Sequence, residues 1–259
     1  MKFGMCTSIT PSVVSSLKEA GFEYIESGTA AVLKPAESQS AFEDGWAAIR
    51  DVALPVEALN VFIPPHLKIT GESPDTATVV HYATTALTRA GQAGIPVIVF
   101  GSGGARAVPE GFSHAVATQQ IEDFLKELAP VALENRVTIT VEPLRVPECN
   151  ILVTVAEAAA MVRRIEHPAI RLLVDAYHWY SNDNDAQSIA DSGDLLRHAH
   201  IATLPNRMAP GHEPFDFAPF IAALRAARYN ARLSIEANVL ETPEDFQIAH
   251  RAMSSIVTD

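Results

Sequence analysis

Four acidic or imidazole side chains stand where short apolar runs finish in the second half of the chain. Glu142 closes VTITVE at 137–142, Asp175 closes IRLLVD at 170–175, His200 lies late in RHAHIA at 197–202, and Glu236 closes RLSIE at 232–236. Each run is short, and the first two are rich in β-branched residues and leucine, as buried strands are. One carboxylate at a strand end is commonly a helix cap or a solvated group. Four such groups on consecutive strands can act together if the strand ends converge. Three carboxylates and one imidazole form a hard, oxygen-rich donor set, suited to Mn²⁺, Mg²⁺ or Co²⁺. A divalent cation would also offset the repulsion among converging carboxylates. Neither cysteine, Cys6 nor Cys149, falls in the set.

The elements that would bring these groups together are legible. Strand-like runs occur at 2–6, 24–27, 56–62, 96–100, 137–142, 170–175, 198–202 and 233–236, each followed by a longer amphipathic stretch. Strand-then-helix repetition is the pattern of a parallel α/β protein. Eight repeats in 259 residues predict a closed (β/α)₈ TIM barrel, one domain spanning 1–259. In that fold the C-terminal strand ends share one mouth, so the four groups become neighbours. Thr10-Pro11 and Thr242-Pro243 read as helix starts, Gly21 as a helix end, and Thr154 with Glu157 as a capping box. The polar, proline-rich segment 63–74 would lie over the mouth as a lid or substrate loop.

Further polar residues fall near the same mouth. Glu26 ends the second strand and Asn60 lies near the end of the third, so both could touch substrate from the opposite side; each could equally orient a loop. Ser102 sits in the glycine-rich run 101–104, whose backbone N–H groups could approach an oxyanion, with Arg106 beside it. A tight glycine turn explains the run as well, and no Lys-Ser/Thr pair follows to make it a Walker loop. His66 and Lys68 lie in the candidate lid. His198 shares a strand face with His200 and reads as a neighbour that orients a ligand. Trp179 and Tyr180 could form an apolar wall or an intersubunit contact, and Trp46 reads as outer-layer packing.

Composition excludes several classes. The formal net charge is −12, from 19 basic and 31 acidic residues, which argues against a nucleic-acid partner. No apolar run is long enough to span a bilayer, and 1–10 lacks the apolar core of a signal peptide. Two cysteines make a disulfide scaffold improbable and fit a reducing, cytoplasmic location. A homo-oligomer is expected.

The chain resembles the sugar phosphate isomerase/epimerase family, the xylose isomerase-like TIM barrels, along essentially its whole length. The segments that carry the resemblance are VEPL at 141–144, LVDAYH at 173–178, HAHIA at 198–202 with LPNR at 204–207, and SIEA at 234–237. VFGSGGAR at 99–106 followed by PEG at 109–111 is similar to a recurrent signature of the same group. Within it, the ketose 3-epimerases look similar in the metal shell, and the LPNR run resembles hydroxypyruvate isomerase. The resemblance implies Glu142, Asp175, His200 and Glu236 as ligands of one divalent ion, Mn²⁺ first, with Mg²⁺, Co²⁺ or Zn²⁺ as alternatives. It also implies His178 and Arg207 as groups that bind substrate.

The activity expected is isomerisation or epimerisation of a small carbohydrate. A proton moves at the carbon beside a carbonyl while the cation stabilises the enolate oxygen. Glu142 and Glu236 are the expected pair that removes and returns it. A neutral His178 could act as an electrophile toward a substrate oxygen. A hydroxypyruvate-type keto-acid isomerase, a lyase acting on a 3-keto-glycoside and a non-catalytic sugar-binding barrel or partner subunit are the competing readings.

Overall fold

Alternation between apolar strands and amphipathic helices leaves each strand to pair with its neighbours in chain order, and the computed structural model shows that outcome. It describes every residue except 183, 239, 241 and 259. Eight parallel strands close into a barrel in sequence order: β1 (Lys2–Cys6), β2 (Tyr24–Gly28), β3 (Val56–Asn60), β4 (Val97–Phe100), β5 (Thr138–Val141), β6 (Ile170–Asp175), β7 (Leu196–Ile201) and β8 (Arg232–Ile235). Pairing of β8 with β1 completes the closure, with Met5 opposite Ile235.

The expected helix signals are realised. Thr10 Oγ1 accepts from Val13 N at 3.4 Å, Pro11 opens the helix Pro11–Ala20, and Gly21 closes it at φ 107°. Thr154 and Glu157 exchange both bonds of a capping box. Thr242 Oγ1 accepts from Asp245 N at 3.2 Å at the head of the last helix. Strand boundaries differ by small amounts. β3 stops at Asn60 because Val61 turns to φ 50°, a left-handed conformation that a strand cannot continue. β7 begins two residues earlier than the sequence pattern indicates, at Leu196.

Most buried apolar side chains form one core cluster that includes residues from both the strands and the helices. Trp46 packs against it. A separate cluster of Ala58, Val97, Val99 and Leu173 fills one side of the barrel interior. Alternate strand residues share a face, so Leu173 lies below Asp175, His198 below His200 and Ser234 below Glu236. Asp175 pairs with His200 across β6 and β7, which sets these two groups at one level. Among the described residues no helix is long and apolar enough to cross a membrane.

Candidate metal centre and active site

The last four strands deliver their side chains by different local devices. Glu142 is the first residue beyond β5. Its N–H donates to Phe100 O at 3.2 Å and its carbonyl accepts from Arg106 Nη2 at 2.7 Å, so its main chain is pinned on both sides. Gly101 makes room for its carboxylate: a Cβ there would fall 2.3 Å from Glu142 Oε2. Asp175 ends β6 and divides its oxygens. Oδ1 accepts from Tyr177 N at 2.9 Å and caps the helix Ala176–Ser181, while Oδ2 faces the barrel mouth. The cap reading of this strand-end aspartate therefore holds for Oδ1, and Oδ2 is left free of hydrogen bonds at the mouth. Glu236 follows β8, its N–H donating to Ile201 O at 3.2 Å and its Oε1 accepting from Asn60 Nδ2 at 3.2 Å.

One donor atom from each of Glu142, Asp175, His200 and Glu236 lies within 4.8 Å of all the others. Glu142 Oε1, Asp175 Oδ2 and His200 Nδ1 are buried and make no hydrogen bond. A buried polar atom left unpaired costs about 1–3 kcal/mol, so three converging on one place need a common partner. His200 Nδ1 stands 3.3 Å from Glu142 Oε1 and 3.4 Å from Glu236 Oε2. A hard divalent cation fits this set of oxygens and one imidazole nitrogen.

The electrostatics agree. Burial, reinforced by Glu236 and Glu142, pushes the Asp175 carboxyl up to about 7. Burial also raises Glu142, with Glu236 adding to it. Burial opposes the charge on Glu236, but His200 and Arg207 outweigh it and hold that carboxyl at about 2. Burial works against an imidazolium at His200 too, yet Glu26 and Glu236 prevail and raise it. The acids thus draw a positive charge into the site, a role that a proton on His200 fills when no cation does. Burial, then Arg207, drives His178 down to about 3, so it is neutral. Its Nδ1 accepts from Arg145 N at 3.3 Å, which leaves the proton on Nε2, 3.5 Å from Asp175 Oδ2.

A cavity of about 270 Å³ opens above these groups. Asn60, Ser102, Glu142, His178, Arg207 and Glu236 line it, with Ile63, Pro65 and Leu144 as apolar wall. Arg207 binds Glu236 Oε2, lies 3.8 Å from Asp175 Oδ2 and stacks 4.8 Å over the Tyr177 ring. Ser102 stands at φ 43°, its Oγ accepting from Ile63 N at 3.0 Å. Of the segment 63–74, Ile63 and Pro65 reach the cavity and Lys68 Nζ donates to Gly104 O at 2.6 Å.

Three expected substrate contacts lie elsewhere. Arg106 is fully buried and donates to the carbonyls of Phe100 and Glu142 at 3.0 and 2.7 Å, so it ties strand ends together and does not face the cavity. Glu26 is fully buried behind His200, its oxygens already shared among His198, His200 and Ser234. His66 is exposed in the segment 63–74 and does not line the cavity. Trp179 is also buried, donating to Asp185 O at 3.2 Å and packing against Tyr180 and Phe220, so it forms neither a cavity wall nor a free surface.

Sequence reasoning missed Glu148, which lines the cavity, binds Arg145 Nε at 2.6 Å and lies 3.9 Å from Arg207 Nη1. It also missed Tyr177, held between the guanidinium groups of Arg145 and Arg207 at 4.6 and 4.8 Å. The i,i+3 spacing of Arg145 and Glu148 was the available signal for the first. A second cluster of Cys6, Glu26 and His200 also has ligand-like spacing. Burial and then Glu26 push the Cys6 thiol up, so it keeps its proton and is a poor ligand.

The sequence model of the family described as xylose isomerase-like TIM barrel matches residues 14–255. The 3-dehydro-D-guloside 4-epimerase of Escherichia coli (strain K12) is 30% identical over 122 residues, 47% of this chain and 46% of that protein. The L-ribulose 3-epimerase of Methylomonas sp. (strain DH-1) is 31% identical over 113 residues, 43% of this chain and 39% of that protein. The chain thus aligns with about half the length or less of these curated relatives. A crystal structure of 3-keto-D-glucoside 4-epimerase from E. coli superposes with a TM-score of 0.81 over 100% of both chains at 22% identity, a likeness of fold.

Proposed function

The chain belongs to the xylose isomerase-like TIM barrel family, and from that premise we propose that it is a divalent-metal-dependent epimerase or isomerase of a small carbohydrate, similar to the ketose 3-epimerases. The observation that carries the reading is the trio of buried, unpaired atoms Glu142 Oε1, Asp175 Oδ2 and His200 Nδ1 beside Glu236. Both curated relatives are named for inversion at a carbon next to a ketone, C4 beside a 3-keto group in one and C3 of a 2-ketose in the other. That shared step is the one this site suits.

Glu142, Asp175, His200 and Glu236 would hold the ion. When bound, it supplies Lewis-acid stabilisation of negative charge on the substrate carbonyl oxygen. The two glutamates are unlike, Glu236 held low by His200 and Arg207 and Glu142 raised by burial. One of the pair would take the proton and the other return it, the roles exchanging in the reverse direction. His178, neutral with its proton on Nε2, can donate to a substrate oxygen as charge develops there. Arg207 holds Glu236 and leaves its remaining N–H groups to substrate hydroxyls. Asn60 donates to Glu236 and lines the cavity beside it. Ile63, Pro65 and Leu144 limit water around the reacting carbon.

The test is incubation of the Mn²⁺-loaded protein in D₂O with ketoses, keto acids and 3-keto-glycosides. Deuterium at the carbon beside the carbonyl, without loss of a leaving group, is expected with a ketose or a 3-keto-glycoside. Exchange confined to keto acids, or elimination, would select the competing enzymes, and no exchange with any of them would leave only a binding barrel. Glu142→Gln and Glu236→Gln should each reduce turnover by about 10²–10⁴-fold, and full activity in both would overturn the assignment of the pair.

A further inference from the structure

Beneath the candidate metal centre runs a chain of polar groups that no substrate reaches. Tyr24, Glu26, His198 and Ser234 are each 0% exposed. Tyr24 OH lies 2.8 Å from Ser234 Oγ, which donates to Glu26 Oε2 at 2.7 Å. His198 Nε2 lies 2.7 Å from the same oxygen, and His200 Nε2 lies 3.0 Å from Glu26 Oε1. Gly4 leaves space for the phenol, since a Cβ there would fall 2.2 Å from Tyr24 Cζ. TIM-barrel interiors are ordinarily packed with branched apolar side chains. An ionised carboxylate in that place costs several kcal/mol unless fully paired, so a function has to account for it.

The account lies in what Glu26 does to one ring. A carboxylate only accepts hydrogen bonds. Both imidazoles that face Glu26 must then carry a proton on Nε2. When a divalent ion takes over the positive charge the His200 ring is neutral, which leaves Nδ1 without a proton, and Nδ1 is the buried atom without a hydrogen bond that faces Glu142 and Glu236. We propose that Glu26 is a positioning residue that fixes the His200 ring and tautomer so that the Nδ1 lone pair is presented to the divalent ion. This rests on the metal reading above. His198, Ser234 and Tyr24 serve by satisfying and orienting the carboxylate.

Glu26→Gln keeps the shape and removes the obligation, because an amide can face a ring nitrogen with either a donor or an acceptor. Mn²⁺ affinity, measured by competition with a fluorescent chelator, should fall about 10–100-fold. Unchanged affinity in a folded Glu26→Gln would overturn the proposal. Should that variant fail to fold, the ring-nitrogen NMR shifts of the wild-type protein loaded with diamagnetic Zn²⁺ decide. A proton on His200 Nε2 with Nδ1 metallated supports the assignment, and the reverse arrangement overturns it. If the wild-type protein bound no divalent ion at all, the metal reading itself would fail, a result distinct from either of these.

Discussion

The barrel interior has two unlike sides. On β3, β4 and β6, Ala58, Val97, Val99 and Leu173 form a small apolar plug. On β2, β7 and β8, Tyr24, Glu26, His198 and Ser234 occupy comparable interior places with polar groups joined to one another. Both sides are buried and lie below the mouth. The apolar side contributes burial, at about 25 cal/mol per Å². The polar side contributes less net stability, because each hydrogen bond replaces one to water. Its return is geometric: it sets the direction of His200 in a site that tolerates little displacement. The contrast separates a region that holds the fold together from one that aims a side chain.

The largest stability effect should come from the apolar side. Leu173→Ala removes most of a fully buried side chain and should cost about 2–5 kcal/mol in denaturant unfolding. Leu173 lies two residues below Asp175 on β6, so it is a demanding test of separability. Although Leu173 also pairs with His198 across β6 and β7, Mn²⁺ affinity is expected to stay within about threefold, because Asp175 and Glu26 keep their own hydrogen bonds. An affinity that falls along with stability would mean that the two sides are one cooperative unit.

A smaller effect, with a distinctive pH signature, belongs to Asp175. Its carboxyl stands at about 7 in the folded protein, above its ordinary value of 3.8, chiefly through burial. A group raised on folding contributes stability that is fully present below its unfolded value and lost as pH rises through the folded one. In chelator, Asp175→Asn should therefore become more stable relative to wild type as pH rises from about 4 to about 7. Asparagine keeps the oxygen that caps Tyr177, so the helix start is preserved. Added Mn²⁺ should reverse the order, because only the wild type keeps the full ligand set. Parallel melting curves at every pH would remove Asp175 from the charged centre.

How much of this was legible follows the same division. Strand periodicity and strand ends exposed Glu142, Asp175, His200 and Glu236, because a barrel converts the end of a strand into a place at the mouth. Asn60 was readable for the same reason. Periodicity gives the face of a side chain but not its depth. Glu26 therefore read as a mouth residue although its oxygens turn inward to His198 and His200. Arg106 failed differently: a long side chain in a loop can reach out or in, and here it reaches the carbonyls of Phe100 and Glu142. Glu148 sits in a loop and Tyr177 in a six-residue helix, both too short to show a period, and only the fold brings Arg207 to them and Arg145 to the Tyr177 ring.

The smallest expected effect tests the far end of the polar side. Tyr24→Phe deletes one hydroxyl and its 2.8 Å contact with Ser234, and leaves Ser234, His198 and His200 on Glu26. The loss should be about 0.5–1.5 kcal/mol in unfolding, the net worth of one buried hydrogen bond. Mn²⁺ affinity should be almost unaffected, since Glu26 keeps all three of its donors. A drop in affinity approaching that of Glu26→Gln would show that orientation is set by the whole chain from Tyr24 upward. The polar side would then act as one rigid element, with the space beside Gly4 as its foundation.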